Sequence, residues 1–300
     1  MKQGLQRFVS ELFSKRHLNP KKSKKRYVFY ICVPMLALLF YFVLSVAMTA
    51  VTKNSMVGQA VANGIVILAG VFCTRISVEL SKRENKYESF KPAAWSVFLL
   101  ICMTILLWFF TQVMAACVEA SIQNTGIESY NDVASKNMNL YLITAVCISP
   151  FAEEFVFRGF MYNVWKKTLN PIAAGVLSAC LFALIHGTLV HLPVAFLMGF
   201  FNAMIYEVTK QIRYPMMCHF LYNFYSVSAI IPLTGGIAGK VMISPVFNVV
   251  TFIVVSGLIV VGYLKREQIR KFVTGKHMID YLNRKWDDDG EWYDGKKIDK

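Results

Sequence analysis

Six residues in three short motifs carry the chemistry this chain could do. They are Glu153, Glu154 and Arg158; His186, four residues after Phe182; and His219 with Asn223. One base-forming carboxylate, two imidazoles and an amide make a hydrolytic set. A glutamate can take a proton from water. A histidine can hand a proton to a leaving amine or bind a metal. An asparagine N–H can stabilise an oxyanion. Glu154 and Arg158 share a helix face at four-residue spacing, with the acid N-terminal to the base, the better order. Glu153 is about 100° further round the helix and is free to face another partner. Phe182–His186 and His219–Asn223 share faces by the same spacing. Pro150 lacks an N–H and is expected to open the helix just before the acids.

These residues lie in apolar runs. The chain has 300 residues, 56% hydrophobic and only 17% charged, with a mean hydropathy of +0.46. A typical soluble domain is about 25% charged, so a soluble enzyme and a disordered chain are both excluded. A bilayer-spanning helix needs about 20 mostly apolar residues. Eight runs qualify, at 28–51, 56–74, 93–117, 139–163, 171–189, 191–208, 214–232 and 245–264. The second is weakened by Asn63, and a tight turn around His191–Pro193 joins the fifth and sixth. The expected fold is all-α, a polytopic membrane helix bundle of about eight transmembrane helices. Its parts are a basic cytoplasmic segment over 1–26, a membrane domain over 27–264 with the motif-bearing core at 139–232, and a cytoplasmic tail over 265–300.

The net charge of +14 is distributed as a topology signal, which excludes nucleic acid as the partner. Residues 1–26 hold nine Lys/Arg and one acid, Glu11. Further clusters follow the second, fourth, sixth and eighth runs: Arg75 to Lys91, Lys166–Lys167, Lys210 with Arg213, and Lys265 to Lys276. The alternate loops hold only Lys53, Lys136 and Lys240. Lys/Arg accumulates on the cytoplasmic side, so eight spans with both termini inside place every rich loop there. The first run is too long for a cleavable signal peptide and reads as a retained span. Leu5, Phe8, Val9, Leu12 and Phe13 follow helical spacing, which fits an amphipathic helix on anionic lipid or a solvated basic tail. The seven cysteines are nearly all within runs, form no Cys-x-x-Cys pair and read as packing residues. Residues 286–294 mix Trp, Tyr and acids and read as a mobile tail.

Buried membrane charge costs roughly 2.5–3.5 kcal/mol per residue on insertion scales and marks functional sites. That weighs against Glu154–Arg158 being a helix-locking pair with the histidines merely bridging helices. It also directs attention to the fourth, fifth and seventh runs, where the expensive groups are concentrated. His191, beside Pro193, and Glu207, at the inner end of the sixth run, read as interfacial. Other chemistries lack their residues: there is no His-Glu-x-x-His, no Gly-x-Ser-x-Gly, no intramembrane Asp pair and no phosphate loop. A transporter would show polar residues in corresponding halves, and the first half has almost none.

At these motifs the sequence resembles the CPBP family, also called the CAAX protease and bacteriocin-processing or Abi family. The family pattern is Glu-Glu-x-x-x-Arg, Phe-x-x-x-His and His-x-x-x-Asn on successive membrane helices. Here it reads Glu153-Glu154-Phe155-Val156-Phe157-Arg158, then Phe182 to His186, then His219 to Asn223. Phe196–Thr209, with Gly199, resembles the family's less polar third segment. The resemblance implies an intramembrane endopeptidase acting on membrane-associated peptides or proteins. It implies that Glu153 activates water, His186 assists, His219 and Asn223 stabilise the oxyanion, and Glu154 and Arg158 support the site. The family is described both with and without metal. A Zn²⁺ ion would take Glu153, His186 and His219, whereas Asn223 is a poor zinc ligand, and the metal-independent form is preferred. The alternative is a non-catalytic membrane regulatory or immunity protein of the same fold, docking to a sensor kinase or bacteriocin target. The expected setting is a bacterial cell membrane, with a regulatory membrane partner as a further expectation.

Depth raises one difficulty. At 1.5 Å per residue from the cytoplasmic ends, Glu153 and Asn223 lie about 13 Å deep, His219 about 7 Å and His186 about 22 Å. Convergence requires the fifth helix to tilt or to enter the hydrocarbon late.

Overall fold

The computed structural model describes residues 24–83, 94–121, 138–230, 285–286 and 292–293. Seven helices are found among them: α1 Lys24–Thr52, α2 Ser55–Arg83, α3 Ala94–Ser121, α4 Met138–Trp165, α5 Pro171–Ile185, α6 His191–Thr209 and α7 Arg213–Ile230. Two short strands, Lys285–Trp286 and Trp292–Tyr293, pair antiparallel with Trp286 opposite Trp292. The all-helical, polytopic class expected from the sequence is what is observed. Five helices among the described residues are long and apolar enough to cross a membrane: Val28–Thr52, Ser55–Arg75, Val97–Ala115, Met138–Trp165 and His191–Thr209. The run at 245–264, residues 5–13 and most of the tail lie outside the described residues.

These helices carry large apolar side chains on their outer surfaces. Phe40 is 68% exposed, Leu68 73% and Phe72 65%. In water such surfaces would collapse, whereas in hydrocarbon they are the solvated state, and a helix satisfies its own backbone there. The chain is an integral membrane protein on this composition and its apolar helices.

The residues group into two compact units, neither of them a continuous stretch. Among the described residues the first holds α1, α2, residues 152–165 of α4 and residues 171–178 of α5; the second holds α3, residues 138–151, residues 179–185, α6 and α7.

In the first unit α1 and α2 form a hairpin. Lys53 takes a left-handed φ of 53° and ends α1. Asn54 then caps α2, its Oδ1 accepting from the N–H groups of Met56 and Val57 at 3.0 and 3.1 Å, the usual way an Asn satisfies orphan donors. Deeper in, Asn63 is fully buried. Its Oδ1 accepts from the Tyr41 hydroxyl at 2.5 Å and from Gln59 Nε2 at 3.0 Å. Gln59 also donates to Tyr41 at 3.0 Å and accepts from Ser45. The side-chain oxygen of the residue that weakens the second run is thus doubly partnered. Trp165 Nε1 donates to the Ile31 carbonyl at 3.1 Å, and Tyr30 packs on Val164. Phe155 occupies the space a Cβ on Gly70 would need.

The second unit is built on α3, α6 and α7. Leu100, Ile205, Tyr214 and Cys218 form one buried cluster, and Trp108, Val194, Met198 and Tyr222 another. Polar bonds pin α3 to α7: Trp108 Nε1 to Ser226 Oγ at 3.1 Å, and Thr111 to the Tyr222 hydroxyl at 2.6 Å.

Helix α4 is irregular. It widens to a five-residue hydrogen-bond repeat over Ile143–Ile148, returns to α over Ser149–Glu154 and widens again over Phe155–Tyr162. Such widenings occur often at functional sites. Asn163 closes the second one, its Nδ2 donating to the carbonyls of Arg158 and Gly159 at 3.1 and 3.0 Å.

Two expectations about α5 and α6 are corrected. The fifth run ends at Ile185 rather than continuing to 189, because Gly187 adopts a φ of 70°, the left-handed conformation that ends helices. At 15 residues α5 is about 22 Å long, short of a hydrocarbon core of about 30 Å. The turn is therefore at 186–190, and His191–Pro193 form the first turn of α6. Thr188 starts that helix: its Oγ1 accepts from the His191 N–H at 3.2 Å and its carbonyl from Leu192 at 3.0 Å.

Candidate active site

The first motif lies in the first unit, at the change from the α stretch of α4 to its second wide stretch. Arg158 Nη1 donates to Glu154 Oε1 at 3.0 Å, and neither side chain is exposed. Glu153 points elsewhere, as the 100° offset requires. It is only partly buried.

The other two motifs lie in the second unit. His186 sits one residue past the end of α5, which corrects its expected place inside the span. Its Nδ1 is 2.7 Å from the Phe182 carbonyl. A carbonyl only accepts, so Nδ1 carries the hydrogen and the neutral ring keeps its lone pair on Nε2. The Phe182 ring, itself buried, touches both imidazoles, with centroids 4.6 Å from His186 and 5.6 Å from His219. Two histidines reckoned at different depths therefore share one aromatic neighbour. His219 is 2% exposed. Asn223, one turn on, is partly exposed, and its Nδ2 donates to the Ala145 carbonyl at 2.9 Å.

Glu153 and Asn223 thus keep partial exposure, as does His186, while Glu154, Arg158 and His219 are buried. Among the described residues neither unit alone gathers three His, Cys, Asp or Glu side chains as a metal ion needs. The second unit also contains an apolar cavity of about 470 Å³, lined by Met114, Cys180, Ala183, Leu184, Phe196 and Leu197 among others.

Glu207 and His191, which read as interfacial, sit near the two ends of α6. Glu207 is 2% exposed and pairs with Lys210, whose left-handed φ of 54° ends α6. His191 bonds through Nδ1 to Thr188 Oγ1 at 2.6 Å, a helix-start contact. Tyr41, Gln59 and Ser45 do not stand out in the sequence. The available signal was Gln59 and Asn63 on one helix face, four apart, inside an apolar run.

Residues 135–225 match the family model described as type II CAAX prenyl endopeptidase, Rce1-like. Two curated proteins are similar over shorter stretches. A Bacillus subtilis (strain 168) protein named as a membrane peptidase, YdiL, is 30% identical over 122 residues, covering 39% of this chain and 50% of the relative. The membrane-embedded CAAX protease MroQ of Staphylococcus aureus (strain USA300) is 30% identical over 101 residues, 32% of this chain and 41% of the relative. The chain spans about half the length of the curated relatives it matches. No solved structure matches it significantly. The resemblance read from the three motifs is borne out, and the matched segment contains all six motif residues.

Proposed function

We propose that this chain is an intramembrane endopeptidase that hydrolyses peptide bonds of membrane-associated peptides or proteins. The family match over 135–225, with Glu153, Glu154, Arg158, His186, His219 and Asn223 all inside it, carries this function.

Glu153 takes a proton from water as the oxygen attacks the scissile carbonyl carbon. His186, with its lone pair on Nε2, orients that water; the Nδ1–H bond to Phe182 supports the assignment. His219 and Asn223 donate to the oxyanion, the developing charge that preorganised donors stabilise most. Collapse breaks the C–N bond, and the proton held by Glu153 goes to the leaving amine. Glu154 and Arg158 hold the helix that carries Glu153. The apolar cavity of the second unit supports a substrate with an apolar segment.

The reaction proposed is metal-independent. Glu153, His186 and His219 are the groups that would hold a Zn²⁺ ion, for which an Nε2 lone pair is a suitable donor. Such an ion would supply an acidified water. The setting proposed is a bacterial cell membrane with both termini cytoplasmic, following the Lys/Arg distribution.

The test uses the full chain in lipid vesicles, incubated with membrane peptides extracted from its host, with and without a chelator. New peptide termini appearing in both samples, and not with Glu153→Gln, are expected. Intact peptides throughout would overturn the proposal, and cleavage lost only with chelator would overturn its metal-independent form.

A further inference from the structure

The first wide stretch of α4 has a consequence at Asn223. The Ser149 N–H bonds the Thr144 carbonyl, five residues back, and so does not go to Ala145 as an α-helix would require. In the five-residue pattern the Ala145 carbonyl would accept from residue 150. That residue is Pro150, which has no N–H. Both helical donors to this carbonyl are therefore missing, one by register and one by chemistry. Asn223 Nδ2 donates there instead, at 2.9 Å, from α7. Ala145, Pro150 and Asn223 all belong to the second unit.

We propose that Pro150 is a positioning residue for Asn223: by withholding a backbone donor it reserves the Ala145 carbonyl for the side-chain amide. A carboxamide is planar and has two N–H groups. Fixing one on Ala145 fixes the plane and hence the direction of the other. An oxyanion donor held this way needs no reorganisation when charge develops. The proposal rests on the reading of Asn223 as that donor only for its catalytic meaning; the hydrogen-bond exchange stands by itself.

The decisive variant is Pro150→Ala, which restores the N–H and improves helix propensity, so that folding is retained. The full chain is labelled with ¹⁵N at asparagine and examined in micelles. The Asn223 amide pair is assigned by its disappearance in Asn223→Ala. In Pro150→Ala this pair is expected to shift and to exchange with solvent about tenfold faster, with the other asparagine signals in place, as a tightly held amide loses its acceptor to the new N–H. An unchanged position and exchange rate would overturn the proposal. Cleavage of the extracted membrane peptides is followed in parallel. Pro150→Ala is expected to slow it about tenfold, and to slow it no further in the Asn223→Ala background, the non-additivity of groups acting as a unit. Equal slowing in both backgrounds also overturns the proposal. Full activity in Asn223→Ala would instead remove the catalytic reading of Asn223, while the amide signals still decide the hydrogen-bond exchange.

Discussion

Arg158 and Glu154 form a buried ion pair one helical turn apart, Nη1 to Oε1 at 3.0 Å, with both side chains fully enclosed. Removing one partner leaves the other charged in a place without water. Arg158→Ala and Glu154→Ala should each destabilise the chain by about 3–5 kcal/mol. The double replacement Glu154→Leu with Arg158→Met should cost less than either, since no lone charge is stranded. Heat or denaturant unfolding in detergent reads this, and a single variant as stable as the parent would contradict it.

Phe182 is the ring that His186 and His219 share. Phe182→Ala should cost about 3–5 kcal/mol of stability as a buried aromatic is lost. It should also depress peptide cleavage more than Phe182→Leu, which keeps most of the volume. Equal cleavage by both variants and the parent would show that the ring does not orient the imidazoles.

Gly187 has a φ of 70°, and a Cβ there would meet nothing within 4 Å. The cost of Gly187→Ala is then conformational alone, about 1–2 kcal/mol. Gly187→Asn should cost less, because asparagine tolerates this conformation better. Melting temperatures of the three proteins should fall in the order Gly, Asn, Ala; the reverse order of Asn and Ala would refute the assignment.

Tyr41 donates to Asn63 at 2.5 Å in a buried setting. Tyr41→Phe removes one donor to Asn63 Oδ1 and should destabilise by about 1–3 kcal/mol, measured by the same unfolding. A neutral result would mean that Gln59 alone satisfies the buried amide.

The sequence disclosed the elements whose energetics are severe. Charged residues in apolar runs are expensive, so Glu153, Glu154, Arg158, His186 and His219 stood out, and their spacing paired Glu154 with Arg158 correctly. Uncharged polar groups are cheaper and blend into an apolar run. Asn63 accordingly reads as a weakness of the second run, while Tyr41 and Gln59, which bond it, do not stand out at all. The end of α5 depends on one backbone angle at Gly187, which hydropathy does not register, so by hydropathy His186 falls inside a helix that it in fact follows. The widened stretches of α4 are hydrogen-bond registers and leave no periodic trace beyond Pro150. Glu207 lies near a run end, where snorkelling is cheap; its pairing with the more exposed Lys210 is a side-chain detail that hydropathy does not register.

Glu153→Gln keeps the side-chain volume and removes the base, so it separates hydrolysis through Glu153 from action by docking. Host cells carrying either protein at equal membrane abundance would be compared for membrane-bound and released peptides by mass spectrometry. A set of released peptides is expected to disappear in the variant while their membrane-bound precursors accumulate. Identical peptide profiles from two equally abundant proteins would contradict it and favour a protein that acts by docking.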